Sequence, residues 1–242
     1  MTGQSRTVLS EHERVAFRRD GMVLPGRAIA PLNLARLAAA AEAAARAGGD
    51  RNPHCGGGDS AAALRAGARD PDLLDLIEPL IGPDIVLWRS ELVHLADHAT
   101  DGVPWHLDGA DWPLRPLETL SVRIALDRVD RATGCMRLLP RPHERLVREI
   151  RAARDRRSLA LAPAAIDPDL AVDAVRDPGA ITLYDVGTFY CELPNRSARR
   201  RAAVVYRFIA AQVRFEGARP AGADPIVPVR GAQAMPGYEY RP

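Results

Sequence analysis

Between Thr119 and Asp127 the chain alternates: Leu120, Val122, Ile124 and Leu126 are apolar, with Thr119, Ser121, Arg123, Ala125 and Asp127 set between them. Side chains two residues apart on a strand leave the same face, so this segment predicts a strand with one apolar side that a further layer must cover. More strands are expected over Met22 to Leu24, Ile85 to Leu95, Met136 to Leu139, Ala180 to Tyr184 and Arg201 to about Ala211. Turn signals at Asp20-Gly21, Gly82-Pro83 and Thr133-Gly134 separate them. Helices are expected mainly ahead of the strands: Glu11 to Arg19 behind the N-cap Ser10, Pro31 to Ala47 ended by Gly48-Gly49, and from Asp70-Pro71 to Leu80. A charged helix over Glu144 to Arg156 interrupts the later strands, and Ala162 to Gly179 and the tail after Pro220 read as irregular. Helices first and short strands after is the pattern of an α+β protein built on a barrel or jelly roll, with helices packed outside. A chain of 242 residues with 47% hydrophobic content suits one such unit, expected over residues 1–242.

Charge excludes several functions. The 33 basic and 31 acidic residues leave a net +2, too little for a nucleic-acid or membrane footprint. Every basic residue is arginine, which rules out a lysine Schiff base, a Walker-type phosphate loop and a Ser-Lys dyad. The first ten residues lack the basic and apolar regions of a secretory leader, and no apolar run has the length of a membrane span, so a cytoplasmic location is expected. Cys55, Cys135 and Cys191 suit neither a zinc site nor a disulfide framework and are expected to be reduced.

The segment Trp105-His106-Leu107-Asp108-Gly109 carries the chemistry. An imidazole and a carboxylate at i and i+2 of extended chain project to one side and can grip one divalent metal, supplying two ligands of a facial triad. The third ligand should be a histidine from a distant strand, and no later strand offers one.

Four stretches in order carry a resemblance. Arg18-Arg19-Asp20-Gly21-Met22-Val23-Leu24-Pro25, His106-Leu107-Asp108 with Trp112-Pro113-Leu114-Arg115-Pro116, Gly134-Cys135-Met136 through Pro140 to His143, and Leu193-Pro194-Asn195-Arg196-Ser197 resemble the phytanoyl-CoA dioxygenase family, over roughly residues 10–212. The resemblance implies a double-stranded β-helix, the cofactors Fe(II) and 2-oxoglutarate, O2 as co-substrate and a small-molecule substrate. Hydroxylation, cyclisation or desaturation would be the reaction, in bacterial secondary metabolism. His106 and Asp108 take the places of the first two metal ligands. The family's distal histidine falls on Tyr190, four residues before Pro194, and its oxoglutarate-binding arginine, eleven residues further on, falls on Arg201. Arg123 stands where the family tends to place a large aromatic residue.

Each position has two readings. Tyr190 is either a phenolate ligand or a core tyrosine. Arg123 points either to solvent or into the barrel, where a buried cation needs an acidic partner and joins Tyr190 as a candidate catalytic residue. Ser121, on the same face as Arg123, joins Arg201 as a candidate cofactor contact. Trp112 is rim packing or a wall of the substrate pocket. His94, which with His98 is a candidate to supply the missing nitrogen, is also a candidate substrate contact. His143, His54 and His12 receive no catalytic role. The glycine-rich stretch from Asp50 to Ser60 is expected to be a mobile loop closing over the site. The rival to an oxygenase keeps the fold without the redox chemistry: it binds a carboxylate ligand, or catalyses an isomerisation or cyclisation without iron.

Overall fold

Ser10 Oγ accepts the Glu13 amide while the Glu13 carboxylate reaches back to the Ser10 amide, and this reciprocal cap starts helix α1 (Glu11–Asp20). Gly21, left-handed at φ 75°, stops it and turns the chain into β1 (Met22–Val23). The computed structural model describes residues 8–46, 58–95, 98–99, 101–109, 112–140, 167–215 and 226–231. Next come α2 (Pro31–Arg46), α3 (Gly58–Gly67) and α4 (Pro71–Ile81), the last capped by Asp70. Helix α3 corrects the sequence reading, because Gly58 to Ser60 open a helix instead of closing a loop. Its alanine-rich turns carried too few large apolar residues to show a period. Residues 50–57 of the expected loop, the expected helix over 144–156, His54, Cys55 and His143 lie outside the described residues.

The strands are β2 (Ile85–Leu95), β3 (Val103–His106), β4 (Leu114–Arg115), β5 (Leu120–Ala125), β6 (Met136–Leu138), β7 (Val172–Asp173), β8 (Ile181–Asp185), β9 (Tyr190–Glu192), β10 (Arg201–Ala210), β11 (Arg214–Phe215) and β12 (Val227–Arg230). They form a six-stranded sheet in the order β1-β8-β5-β10-β2-β12, a four-stranded sheet β3-β9-β6-β7 and the pair β11-β4, antiparallel throughout. This is the expected α+β jelly roll. Two strands lie where irregular chain was expected. In the connection before Gly179, β7 pairs with β6, and in the tail β12 pairs with β2. Neither is long enough to display alternation.

The six-stranded sheet has two unlike faces. Leu120, Val122 and Ile124 of β5, Ile181 and Leu183 of β8, and Ala202, Val204, Tyr206 and Phe208 of β10 pack with Leu37, Leu64, Leu73, Leu76 and Ile77 of the helices in one core. The intervening residues face the other way, and several are polar: Ser121, Arg123, Arg201 and Arg207, all buried. The helices therefore cover the apolar face that the alternation in β5 demanded, and the polar face lines the barrel. Among the described residues no helix is long and apolar enough to cross a membrane.

Candidate active site in the barrel

Strand β3 ends at His106, and β9 begins at Tyr190 directly opposite it. The two rings lie 4.2 Å apart between centroids. The chain then leaves the strand and turns at Gly109, left-handed at φ 80°, where a Cβ would meet Val186 Cγ2 at 2.5 Å. Asp108 lies in this turn. His106 Nε2 stands 3.8 Å from Asp108 Oδ1, too far for a hydrogen bond, and the other ring nitrogen, Nδ1, lies 2.8 Å from the Pro104 carbonyl oxygen. A carbonyl only accepts, so Nδ1 carries a proton there, and in the neutral ring the lone pair falls on Nε2. His106 and Asp108 thus share one side, although only the first of them is on a strand.

Both oxygens of Asp108 are engaged. Tyr190 donates its hydroxyl to Oδ1 at 2.9 Å, and Arg207 donates Nη1 to Oδ2 at 2.7 Å. Arg207 Nη1 also reaches Ser121 Oγ at 3.0 Å, and its Nη2 donates to Glu91 at 2.9 Å. Glu91 in turn pairs with Arg89 at 2.8 Å. Burial, reinforced by the Asp108 charge, pushes the Tyr190 phenol well above its ordinary value, so it is a neutral donor. Tyr184, edge-on to Tyr190 at 5.4 Å, is pushed up to about 12 by burial.

A second cluster adjoins the first. Tyr190 and Glu192 are two apart on β9, and the Glu192 carboxylate sits between two guanidiniums: Arg123 Nη1 donates to Oε1 at 2.6 Å and Arg201 Nη2 donates to Oε2. All three side chains are buried, Arg201 to 1% exposure. Burial alone would raise the Glu192 carboxyl, but the two cations override it and hold it at about 2. Arg123 therefore points into the barrel, with Glu192 as its acidic partner.

The remaining candidates are dispersed. Trp112 lies over Arg207, with the guanidinium carbon 4.9 Å from the ring centre, and meets Trp88 edge-on at 5.0 Å, so it walls the Asp108 side. His94, half-buried on β2 opposite Ala202, takes no part in either cluster, and His98 is exposed. Neither is placed as a third ligand: among the described residues no three His, Cys, Asp or Glu side chains are grouped to hold a metal. The sequence reading gave no role to Arg207 or Glu91 and did not foresee Glu192 between two arginines. The signal for Arg207 was its even spacing from Arg201 on β10, which puts both on one face.

Three comparisons bear on this arrangement. The "Dioxygenase lolE1" of Epichloe uncinata is 28% identical over 141 residues, 57% of this chain and 52% of that protein, so the chain spans about half the length of the curated relative it matches. The non-heme monooxygenase ThoJ in its apo form superposes with a TM-score of 0.74 at 21% identity, covering 94% of this chain and 87% of that one. The epimerase SnoN, in complex with Fe3+, alpha ketoglutarate and nogalamycin RO, superposes at 0.69 and 20% identity, covering 96% and 92%. At these identities the two solved structures establish the jelly-roll fold. The family model described as phytanoyl-CoA dioxygenase (PhyH) matches residues 17–203, and with more than half of its length matched the chain belongs to the phytanoyl-CoA dioxygenase family.

Proposed function

We propose that this family member acts on a small molecule by proton transfer at His106, catalysing an isomerisation or cyclisation that needs no oxygen. Iron(II) and 2-oxoglutarate are the cofactors of the family. Of this chain's residues His106, Asp108 and Arg201 keep the positions for that pair, and Tyr190 departs from them. At the metal position Tyr190 offers a neutral phenol where the pattern expects an imidazole, and Asp108 already has a donor on each oxygen. An iron on Asp108 Oδ1 would compete with the Tyr190 hydroxyl for that oxygen, while the Arg207 bond on Oδ2 could stay. The neutral phenol of Tyr190, standing where a third imidazole is expected, is the observation that carries the reading.

The same geometry supports base catalysis. In its neutral form His106 takes a proton from the substrate on Nε2 and returns it elsewhere on the same molecule. Asp108, 3.8 Å away, stabilises the imidazolium formed between the two steps. Tyr190 and Arg207 fix the carboxylate, and the pairing of Nδ1 with the Pro104 carbonyl fixes the ring. Trp112 gives the substrate an apolar wall.

A second reading, an iron oxygenase that hydroxylates, cyclises or desaturates its substrate, is favoured by one observation: His106 and Asp108 keep the family's spacing and stand on one side of the site. One experiment separates the two. Fe(II) and 2-oxoglutarate are added anaerobically, then air is admitted, with visible spectra recorded throughout. The absence of any new band is the expected result. A weak Fe(II)-oxoglutarate charge-transfer band overturns it in favour of the oxygenase, and an intense tyrosinate-to-Fe(III) band overturns it by putting Tyr190 on the metal.

A further inference from the structure

Arg201 is the position to which the family resemblance assigns the far carboxylate of 2-oxoglutarate, and in this structure it already holds a carboxylate, that of Glu192. Three features make the occupation a built one. Glu192 is directed inward by its position on β9, two residues from Tyr190, and β9 is held on both sides, by β3 and by β6. Its second oxygen is gripped by Arg123, so the carboxylate cannot turn away from Arg201 without abandoning another buried cation. Arg123 in turn has no other acidic partner among the described residues, and its Nη2 has no hydrogen-bond partner there. Arg123 and Glu192 explain each other. An arginine alone at position 123 would be an unpaired buried cation, and Glu192 between two arginines is balanced on both oxygens.

We propose that Glu192 is a resident carboxylate that fills the oxoglutarate anchor, so that the chain closes this subsite with its own side chain and 2-oxoglutarate reaches Arg201 only by displacing it. The consequence is specific. Removing the Glu192 charge leaves two buried guanidiniums facing one space, and that space becomes an anion site for a carboxylate supplied from solution.

The test uses metal-free protein with chelator present, which separates it from the question of iron. Binding of 2-oxoglutarate is measured by calorimetry and by ligand-observed NMR for the wild type, Glu192→Gln and Glu192→Ala. Expected is about a hundredfold or greater gain in affinity in the variants over the wild type. Because a poorly folded variant would bind nothing, two further measurements stand beside it. Acetate should raise the Tm of Glu192→Ala more than that of the wild type, as rescue of a vacated carboxylate place, and wild-type protein alone should show no saturable 2-oxoglutarate binding at millimolar concentration. Saturable binding to the wild type, affinity equal in wild type and variants, or acetate acting equally on both, overturns the proposal. A proton-transfer site at His106 that failed the iron test would leave these outcomes unchanged.

Discussion

At the scale of single residues, the barrel interior is a set of charges that hold one another in place. Glu192 lies between Arg123 and Arg201, and replacing it with Gln strands two buried cations, with an expected loss of about 3–5 kcal/mol at neutral pH by chemical denaturation. The pH dependence has a definite sign. The folded carboxyl sits at about 2 against an ordinary 4.5, so its contribution is fully present above pH 4.5 and is lost as pH falls through 2. The stability gap between wild type and Glu192→Gln should therefore narrow over that window. Tyrosine gives a second prediction at this scale. Tyr184 and Tyr190 are both raised by burial, so in an alkaline titration followed at the phenolate band neither ionises near pH 10, where an exposed phenol does. Tyr190→Phe should leave the early phase of that titration unchanged. A loss of early amplitude would mean that Tyr190 ionises readily and is available as a phenolate.

Elements bring these residues together through strand register. The β3–β9 pair sets His106 against Tyr190, and at its far end Gly102 lies so close to β9 that a Cβ would meet the Glu192 carbonyl oxygen at 2.3 Å. That contact is with backbone and cannot be relieved by a rotamer change. Gly102→Ala should cost about 1–3 kcal/mol, and should disturb the His106 and Tyr190 resonances in NMR spectra, because the strand has to move off its neighbour. Much at this scale was legible in the chain. Strand β5, the cap of α1 and the turn at Gly21 follow from alternation, from Ser10 with Glu13 and from a left-handed glycine. What was not legible was short: β7 and β12 are held by their partners, since two to four residues cannot show a period. Helix α3 was hidden by alanines, which favour a helix without marking a face.

For the molecule as a whole, the helices are the lid on the apolar side of the six-stranded sheet. Leu76 is fully buried in the core shared by α4 and that sheet, and Leu76→Ala should destabilise the fold by about 2–5 kcal/mol, with the denaturant slope unchanged if unfolding stays cooperative. A much smaller loss would mean that the helices are not part of the same cooperative unit. The sequence by itself determined the order of elements, the apolar face of β5, the pairing of His106 with Asp108 and the family's succession of motifs, because each is written within a few consecutive residues. Only the tertiary structure decided that Arg123 points inward, that Asp108 is shared between Tyr190 and Arg207, and that Glu192 lies against Arg201. Those contacts join residues up to 99 positions apart, and a buried charge takes its meaning from the partner that the fold brings to it.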